Sequence, residues 1–215
     1  MDERFCISNM AVEMGAKVGL MQPDATTEEF FAARGIACAA TGLKSDADAV
    51  FCRTLRFDAA ALQPVVACPH EVDNVCEISG IGKRVRVDQA YLGSCTGGRY
   101  TDLVMAASVM KGRKVMKGRR FLVSPASKAI WEQAAESGVL QALSEAGATI
   151  MAPTCGLCVG LHSGILADDE VCVSSTNRNF IGRMGSKKAR TYLGSPLTVA
   201  AAAITGELTD PREFL

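Results

Sequence analysis

The second half of the chain alternates strand-like and helix-like segments, and this alternation limits the possible folds more than any other feature. Apolar stretches typical of strands occur at 85–93, 119–124, 148–153 and 170–175, and a capped helix is predicted at 195–206. Parallel strands are joined by long crossovers, which are usually helices. The alternation therefore predicts an α/β fold, a three-layer α/β/α arrangement in which a mainly parallel sheet is covered on both faces.

The first half of the chain has a less regular pattern. Polar caps followed by apolar spacing predict helices at 8–21 and 27–34. An apolar stretch at 46–65 predicts a strand with a following turn or short helix. The Pro- and Gly-rich segment 67–83 predicts an extended connection. We therefore predict that residues 1–82 are part of a preceding α/β lobe and that residues 83–215 form a second domain.

The composition excludes several classes of protein. The 215 residues include 48% hydrophobic residues, and the 23 basic and 23 acidic residues balance. This balance argues against a nucleic-acid surface or a polybasic membrane anchor. The N-terminus lacks the apolar segment of a signal peptide, and no apolar run is long enough to cross a bilayer. We therefore expect a cytoplasmic protein with no membrane partner, in which the nine cysteines are thiols.

Three chemically suggestive loops follow three of the predicted strands. Cys95 follows the first strand, Cys155 and Cys158 follow the third, and the segment 177–183 follows the fourth. In open α/β sheets, ligands bind beyond the carboxyl ends of the strands. We therefore expect these loops to converge at one edge of the sheet.

The cysteine spacing alone leaves several interpretations open. A single C-x-x-C pair is weak support for structural zinc, which usually needs four ligands, although Cys68, His70 and Cys76 could supplement it. The pair could also be redox-active, or the thiols could simply pack in glycine-rich turns. Three thiolates around an iron–sulfur cluster would leave one iron open to a substrate oxygen.

Several motifs together resemble the aconitase superfamily. In the order and spacing of that family, the chain contains YLGSCTGGRYTDL, APTCGLCVGLHSGIL, SSTNRNFIGRMGS and YLGSPLTVAAAAITGELTDP, and SNMAVEMGAKVGLMQPD resembles the family's preceding segment. The resemblance covers essentially the whole chain and is strongest to the branch that isomerises isopropylmalate. It implies an aconitase-type iron–sulfur domain.

The resemblance also assigns ligands and a cofactor. In the family, three motif cysteines hold one 4Fe–4S cluster whose fourth iron binds the substrate and water. Carried onto this sequence, the ligands are Cys95, Cys155 and Cys158. The other cysteines match no ligand position and are interpreted as packing residues.

Five further residues match family positions. Arg178 and Arg183 correspond to substrate-site arginines, and a guanidinium binds a carboxylate through two parallel hydrogen bonds. Asn9 and Asn177 match residues that line the cluster. Glu13 matches a catalytic glutamate near the open iron, and it would share a helix face with Asn9 if that segment is α-helical.

The sequence departs from the family pattern in two ways. Gly97 replaces the asparagine that usually follows the first ligand and threonine. The family's large subunit also begins well upstream, and its missing N-terminal half carries catalytic histidine, aspartate and serine residues. The base that removes the proton lies in the swivelling domain of a small subunit. The chain is therefore expected to be incomplete alone, whether as a split-gene product or as a truncation.

The implied activity is that of a hydro-lyase acting on a small hydroxy acid. The first expectation is reversible isomerisation of 3-isopropylmalate and 2-isopropylmalate in leucine biosynthesis. Homoaconitate, citramalate/citraconate and dimethylmalate are alternative substrates of the same chemistry. A zinc-stabilised binding module and an inactive fragment are alternatives of another class.

Overall fold

The chain divides into two compact units. The computed structural model describes residues 1–40, 42–82 and 84–215. The first unit comprises Met1–Leu62 and the second Gln63–Leu215. This division does not coincide with the expected boundary between residues 82 and 83, because residues 65–77 contribute two strands to the sheet of the second unit.

Among its described residues, the first unit contains two α-helices and two short 3-10 helices. The α-helices are α1 (Asp2–Met10) and α2 (Ala25–Ala32), and the 3-10 helices span Ala11–Met14 and Ala59–Ala61. The Asp24 side chain caps α2 by accepting a hydrogen bond from the Thr27 amide. An Asp at this position satisfies one of the free amides of the first helical turn.

Two predictions for this part of the chain were wrong. The helix expected at 8–21 begins at Asp2, changes to 3-10 geometry after Met10 and stops at Gly15, whose φ of 75° is left-handed. Glycine adopts this conformation without steric cost and therefore ends the helix. Residues 46–58 contain no strand among the residues described and form irregular backbone and turns, whereas the turn or short helix expected after the strand is present as the 3-10 helix Ala59–Ala61. The helix expected at 27–34 is confirmed as α2.

The second unit contains seven strands and five α-helices among the residues described. The strands are β1 (Val65–Ala67), β2 (Val75–Glu77), β3 (Gln89–Gly93), β4 (Arg120–Ser124), β5 (Thr149–Ile150), β6 (Val171–Ser174) and β7 (Arg190–Leu193). The helices are α3 (Ser94–Gly97), α4 (Tyr100–Met110), α5 (Lys128–Glu136), α6 (Val139–Glu145) and α7 (Pro196–Thr205), with 3-10 helices at Ile78–Gly80, Gly156–Val159 and Pro211–Phe214.

The strands form one mainly parallel sheet, as predicted. Their order is β2-β1-β7-β6-β3-β4-β5. The strands from β7 to β5 in this order are parallel, whereas β1 pairs antiparallel with both β2 and β7. The segment predicted as a connection, 67–83, thus contributes strand β2 and the end of β1 to a hairpin. The β7 strand was not predicted because its four residues stand directly before the α7 cap and show too little periodicity.

Alternating side chains of the sheet enter two apolar clusters. Ala90 and Leu92 of β3 pack with apolar residues of α4, α6 and α7 on one face. Tyr91 and Leu122 point to the other face, where irregular and 3-10 segments between residues 151 and 189 cover them. Because strand side chains alternate between faces, each central strand contributes to both clusters.

The α7 helix follows its sequence signals. Ser195 accepts a hydrogen bond from the Thr198 amide, and Pro196 occupies the first turn, as predicted. The helix is rich in buried alanines, so it packs closely on the sheet. Among the described residues, no helix combines the length and apolar character that a membrane crossing requires.

Candidate functional site

The topology of the sheet creates a crevice at the carboxyl ends of β3 and β6. After β3 the chain adds β4 and β5 on one side and then returns to place β6 on the other side of β3. Such a switch in direction separates the loops that leave the two neighbouring strands, and ligands of open α/β sheets bind in this gap. Cys95 lies in the loop after β3, and Asn177 lies in the loop after β6.

The Cys95 loop makes a tight turn that is held from the β6 side. Ser94 is buried and has a left-handed φ of 79°, an unusual conformation for a residue with a side chain. The Ser175 hydroxyl accepts a hydrogen bond from the Gly93 amide (3.0 Å) and donates one to the Gly97 carbonyl (2.7 Å). The turn leaves the Cys95 side chain exposed at the sheet edge.

A second hydrogen bond joins the same two loops. The Thr96 hydroxyl donates to Oδ1 of Asn177 at 2.7 Å, and both residues are buried. Asn177 therefore positions the loop that carries Cys95. A family role for Asn177 as a residue lining a cluster stays a prediction, but its direct contact is with the residue next to Cys95.

The loop of Cys155 and Cys158 is held at its beginning and at its end. The Ser124 hydroxyl at the end of β4 donates to the Ala152 carbonyl at 3.1 Å. The loop then forms the 3-10 helix Gly156–Val159. The Nε of Arg183 donates to the Cys158 carbonyl at 2.8 Å. The loop after β5 and the loop after β6 are therefore in direct contact.

The Cys158 thiol is affected electrostatically by the other two cysteines and by Arg183. Burial raises the pKa of Cys158, and the charges of Cys155 and Cys95 act in the same direction, whereas the Arg183 guanidinium acts to lower it. Cys95 and Cys155 are exposed and Cys158 is partly buried. A cation bound among these thiols would reverse the effect of burial, because it favours the thiolate form.

The donor chemistry of this edge fits a sulfur-ligated iron cluster better than a hard cation. Among the described residues, no group of three or more His, Cys, Asp or Glu side chains forms a ready-made metal cage. Three soft thiols nevertheless face one edge, and a buried hydroxyl, that of Tyr91, has no hydrogen-bond partner within the described protein. Burial raises the pKa of Tyr91 to about 12, so it stays a neutral donor. Soft thiolates select zinc, copper(I) and iron–sulfur clusters.

The two predicted arginines lie in the loop after β6. Both are partly buried, with Arg178 between the buried Asn177 and Asn179. Arg183 contacts the loop of Cys155 and Cys158 in two ways. Its Nε donates to the Cys158 carbonyl, and its side chain also hydrogen-bonds the Cys158 thiol, which acts to lower the pKa of that thiol.

The two predicted site residues of the first unit lie on consecutive helical elements. Asn9 belongs to α1 and Glu13 to the 3-10 helix Ala11–Met14, and both are partly buried. Asn9 and Glu13 were expected to share a face only if the segment were one uninterrupted α-helix. The change to a 3-10 helix, which has three residues per turn, removes the basis for that expectation. Their family roles remain predictions.

Some residues of this edge were not recognised from the sequence. Ser175 and Thr96 join the two loops, and their position directly after β6 and directly after Cys95 was the available signal. His162 is exposed and lies over the C-x-x-C loop, and it matches no catalytic position of the family motifs. A Cβ added to Gly156 would come within 2.9 Å of the His162 ring. The His162 Nδ1 shares a hydrogen bond with the Ser163 hydroxyl at 3.0 Å.

Gly97, the departure from the family pattern, is in close contact with the β6 loop. A Cβ at this position would overlap the Ser175 carbonyl oxygen. The asparagine that the family usually has there therefore cannot be accommodated unless the Ser175 segment moves. Gly97 thus permits the close approach of these two loops.

Comparisons with known proteins identify the family of the chain. A model of the aconitase family (aconitate hydratase) matches residues 1–206. The 3-isopropylmalate dehydratase large subunit 2 of Archaeoglobus fulgidus is 48% identical over 214 residues, covering 100% of this chain and 51% of that protein. The 3-isopropylmalate dehydratase large subunit 1 of Thermotoga maritima is 44% identical over 215 residues, with coverage of 100% and 51%.

A third relative carries a different name. The probable methanogen homoaconitase large subunit of Methanosarcina mazei is 46% identical over 211 residues, covering 98% of this chain and 53% of that protein. The chain thus spans about half the length of the curated relatives it matches. From the family match over residues 1–206, the chain belongs to the aconitase family.

Proposed function

We propose that this chain is the cluster-bearing half of the large subunit of a hydro-lyase that interconverts 3-isopropylmalate and 2-isopropylmalate. The observation that carries the proposal is the sheet order, which sets the carboxyl ends of β3 and β6 side by side, with Cys95 and the arginine loop directly after them. The relatives named 3-isopropylmalate dehydratase support this substrate.

Cys95, Cys155 and Cys158 would hold one 4Fe–4S cluster. When bound, a cluster with an open iron supplies Lewis acidity toward the hydroxyl of the substrate. Asn177 holds the Cys95 loop through Thr96, and Arg183 holds the Cys158 carbonyl. Both contacts orient the thiols before any metal arrives.

The arginines would bind the carboxylates of the hydroxy acid. Arg183 lies against the loop of Cys155 and Cys158, where its Nε donates to the Cys158 carbonyl, and Arg178 lies in the same loop as Arg183. Charge-assisted hydrogen bonds between a guanidinium and a carboxylate are the strong ones in proteins. In the assembled enzyme, Arg183→Lys should therefore raise the KM for the substrate roughly tenfold or more, because each such bond contributes about 1.5–3 kcal/mol.

The remaining assignments rest on the resemblance. Glu13 would act near the substrate hydroxyl, and Asn9 would line the cluster. The rest of the large subunit and a small subunit with the swivelling domain would supply the base and the other catalytic residues. The enzyme would act in the cytoplasm.

Anaerobic reconstitution with ferrous iron and sulfide tests the proposal. Wild type and Cys52→Ser, which changes an exposed cysteine of the first unit, should take up equal iron and sulfide and develop the same visible absorption. Cys95→Ser, Cys155→Ser and Cys158→Ser should each take up far less. Equal uptake by wild type and Cys95→Ser would refute the ligand assignment, as would tightly bound zinc with no iron uptake.

A second candidate substrate is homoaconitate, which the Methanosarcina mazei relative favours. The two reactions share their chemistry and differ in the chain that the site must accept beside the carboxylates. Comparing kcat/KM for both substrates in the assembled enzyme separates them. Preference for homoaconitate would keep the hydro-lyase and change the substrate.

A further inference from the structure

Two cysteines outside the candidate site lie against each other in the β1–β2 hairpin. Val66 of β1 opposes Cys76 of β2, and one position beyond β1 the Cys68 amide donates to the Asn74 carbonyl at 2.7 Å. Side chains two positions apart along a strand share a face, so Cys68 and Cys76 point to the same side of the hairpin. Their Sγ atoms are 2.8 Å apart.

The surroundings of this pair favour the protonated form of Cys68. Both side chains are partly buried and pack against the main apolar cluster. Burial, together with the hydrogen bond and the charge of the neighbouring Cys76, raises the pKa of Cys68 to about 11. Cys68 is therefore a protonated thiol at neutral pH.

A metal site explains the pair less well. His70 and Glu71 lie in the same hairpin, yet no group of three or more potential ligands comes together among the described residues. Two thiols alone do not complete the four-ligand set of a structural zinc site. Two sulfurs on one face of a hairpin and in contact are instead placed for a covalent bond to each other.

We infer that Cys68 and Cys76 are a reversible redox modification site, which a small-molecule disulfide such as oxidised glutathione converts to a protein disulfide. One sulfur attacks the reagent, so its S–S bond breaks, a mixed disulfide forms and one glutathione thiol leaves. The second cysteine then displaces the other glutathione. One S–S bond is made and one is broken, the two cysteines are oxidised, and two reduced glutathione molecules carry away both hydrogens.

The modified segment is joined to the loop that carries the arginines. Nδ2 of Asn179 donates to the Cys68 carbonyl at 2.9 Å and to the Glu71 carbonyl at 3.3 Å. Asn179 is fully buried and directly follows Arg178 in the chain. A disulfide that stiffens the hairpin would therefore also stiffen the backbone beside Arg178.

Peptide mass spectrometry tests the modification on the whole chain. Trypsin cleaves after Arg56 and Lys83, so both cysteines fall in one peptide, 57–83. The anaerobically reduced chain is incubated with oxidised glutathione, alkylated and digested. The peptide should then be lighter by two hydrogen atoms than the reduced, unalkylated peptide and carry no alkyl group. Dithiothreitol should restore both alkylation sites.

Matched variants identify the bond. Cys52→Ser should behave as wild type, whereas Cys68→Ser and Cys76→Ser should leave one cysteine that is alkylated or carries a single glutathione. Hydrogen exchange at 176–183 should slow in the oxidised wild type. The inference would be overturned if peptide 57–83 kept both alkyl groups while Cys155 and Cys158 became oxidised, or if it were cross-linked to another peptide. These readouts concern mass and exchange, so they do not depend on the proposed enzyme activity.

Discussion

The two units of the chain differ sharply in how far their apolar side chains are buried. In the second unit, Leu103 and Val173 are completely buried in the core between sheet and helices. In the first unit, Val50 is 96% exposed and Phe57 79% exposed, and Ala11 is the one buried apolar residue described there. Free energy of folding depends mainly on apolar area removed from water. The second unit therefore carries the cooperative stability that can be attributed to this chain.

The largest difference is expected for truncation of an apolar side chain in each unit. Leu103→Ala should lower the free energy of unfolding by about 2–5 kcal/mol, because it removes fully buried methyl groups and leaves a cavity. Phe57→Ala is the matched exposed change and should stay within roughly 0.5 kcal/mol. Urea denaturation followed by circular dichroism measures both. Equal losses would show that the first unit has a core of its own.

Glycine substitutions test how tightly a single loop of the second unit is packed. Gly97→Asn should destabilise the second unit by about 1–3 kcal/mol, since a Cβ there overlaps the Ser175 carbonyl. Gly80→Asn is the control, because a Cβ at Gly80 meets no atom within 4 Å. The thermal unfolding midpoints of both variants, compared with that of wild type, measure this difference. A stable Gly97→Asn protein would mean that the Ser175 segment moves freely.

Helix caps should also have different effects in the two units. Ser195→Ala removes the cap of α7, a helix with six buried residues, and should cost about 1 kcal/mol of global stability. Asp24→Ala removes the corresponding cap of α2, which buries none of its residues. Its effect should be limited to faster hydrogen exchange within 25–32. A shift of the main unfolding transition by Asp24→Ala would contradict the division into a stable and a weakly packed unit.

The smallest effect concerns one exposed ion pair of the first unit. The Arg4 guanidinium hydrogen-bonds Asp24 and holds the pKa of that carboxyl below its usual range. The folded pKa is thus lower than the unfolded one, so any stabilisation is present above the unfolded pKa and is lost as pH falls through the folded value. Because the pair is exposed to solvent, the change should be visible in titration rather than in stability.

Carbon NMR of the carboxyl groups measures this titration. Arg4→Ala should return the pKa of Asp24 toward that of an ordinary aspartate. The pKa of Asp210, which Arg212 lowers in the second unit, serves as the internal control and should not change. An unchanged Asp24 titration would show that the ion pair is not formed in solution.

Sequence periodicity predicted the structure well where a core exists. The strands ending at Gly93, Ser124 and Ser174 were located within a few residues, because buried parallel strands are continuous apolar runs flanked by glycine and serine. Asp24 and Ser195 are recognisable caps, although only Ser195 was identified as one. The helix at 8–21 was wrong because Gly15 and Gly19 interrupt a segment that few tertiary contacts stabilise.

The candidate site was only partly accessible to sequence reasoning. The motif cysteines and arginines could be selected because each follows a predicted strand or matches a family motif. The hydrogen bonds of Ser175, Thr96 and Arg183 could not be predicted, since they depend on the relative position of loops more than 20 residues apart in the chain. The contact between Cys68 and Cys76 was likewise hidden, because the hairpin was interpreted as a linker.

The hydrogen bond between Thr96 and Asn177 joins residues that are 81 positions apart, and this has a consequence for synthesis on the ribosome. All three motif thiols are translated before β6 exists, whereas Asn177 and Arg183 follow it. A nascent chain thus presents these thiols in an unfinished sheet edge, without the groups that later hold their loops. The hydrogen bonds that hold these loops can form only after translation has passed Arg183, and until then the thiols are open to oxidants.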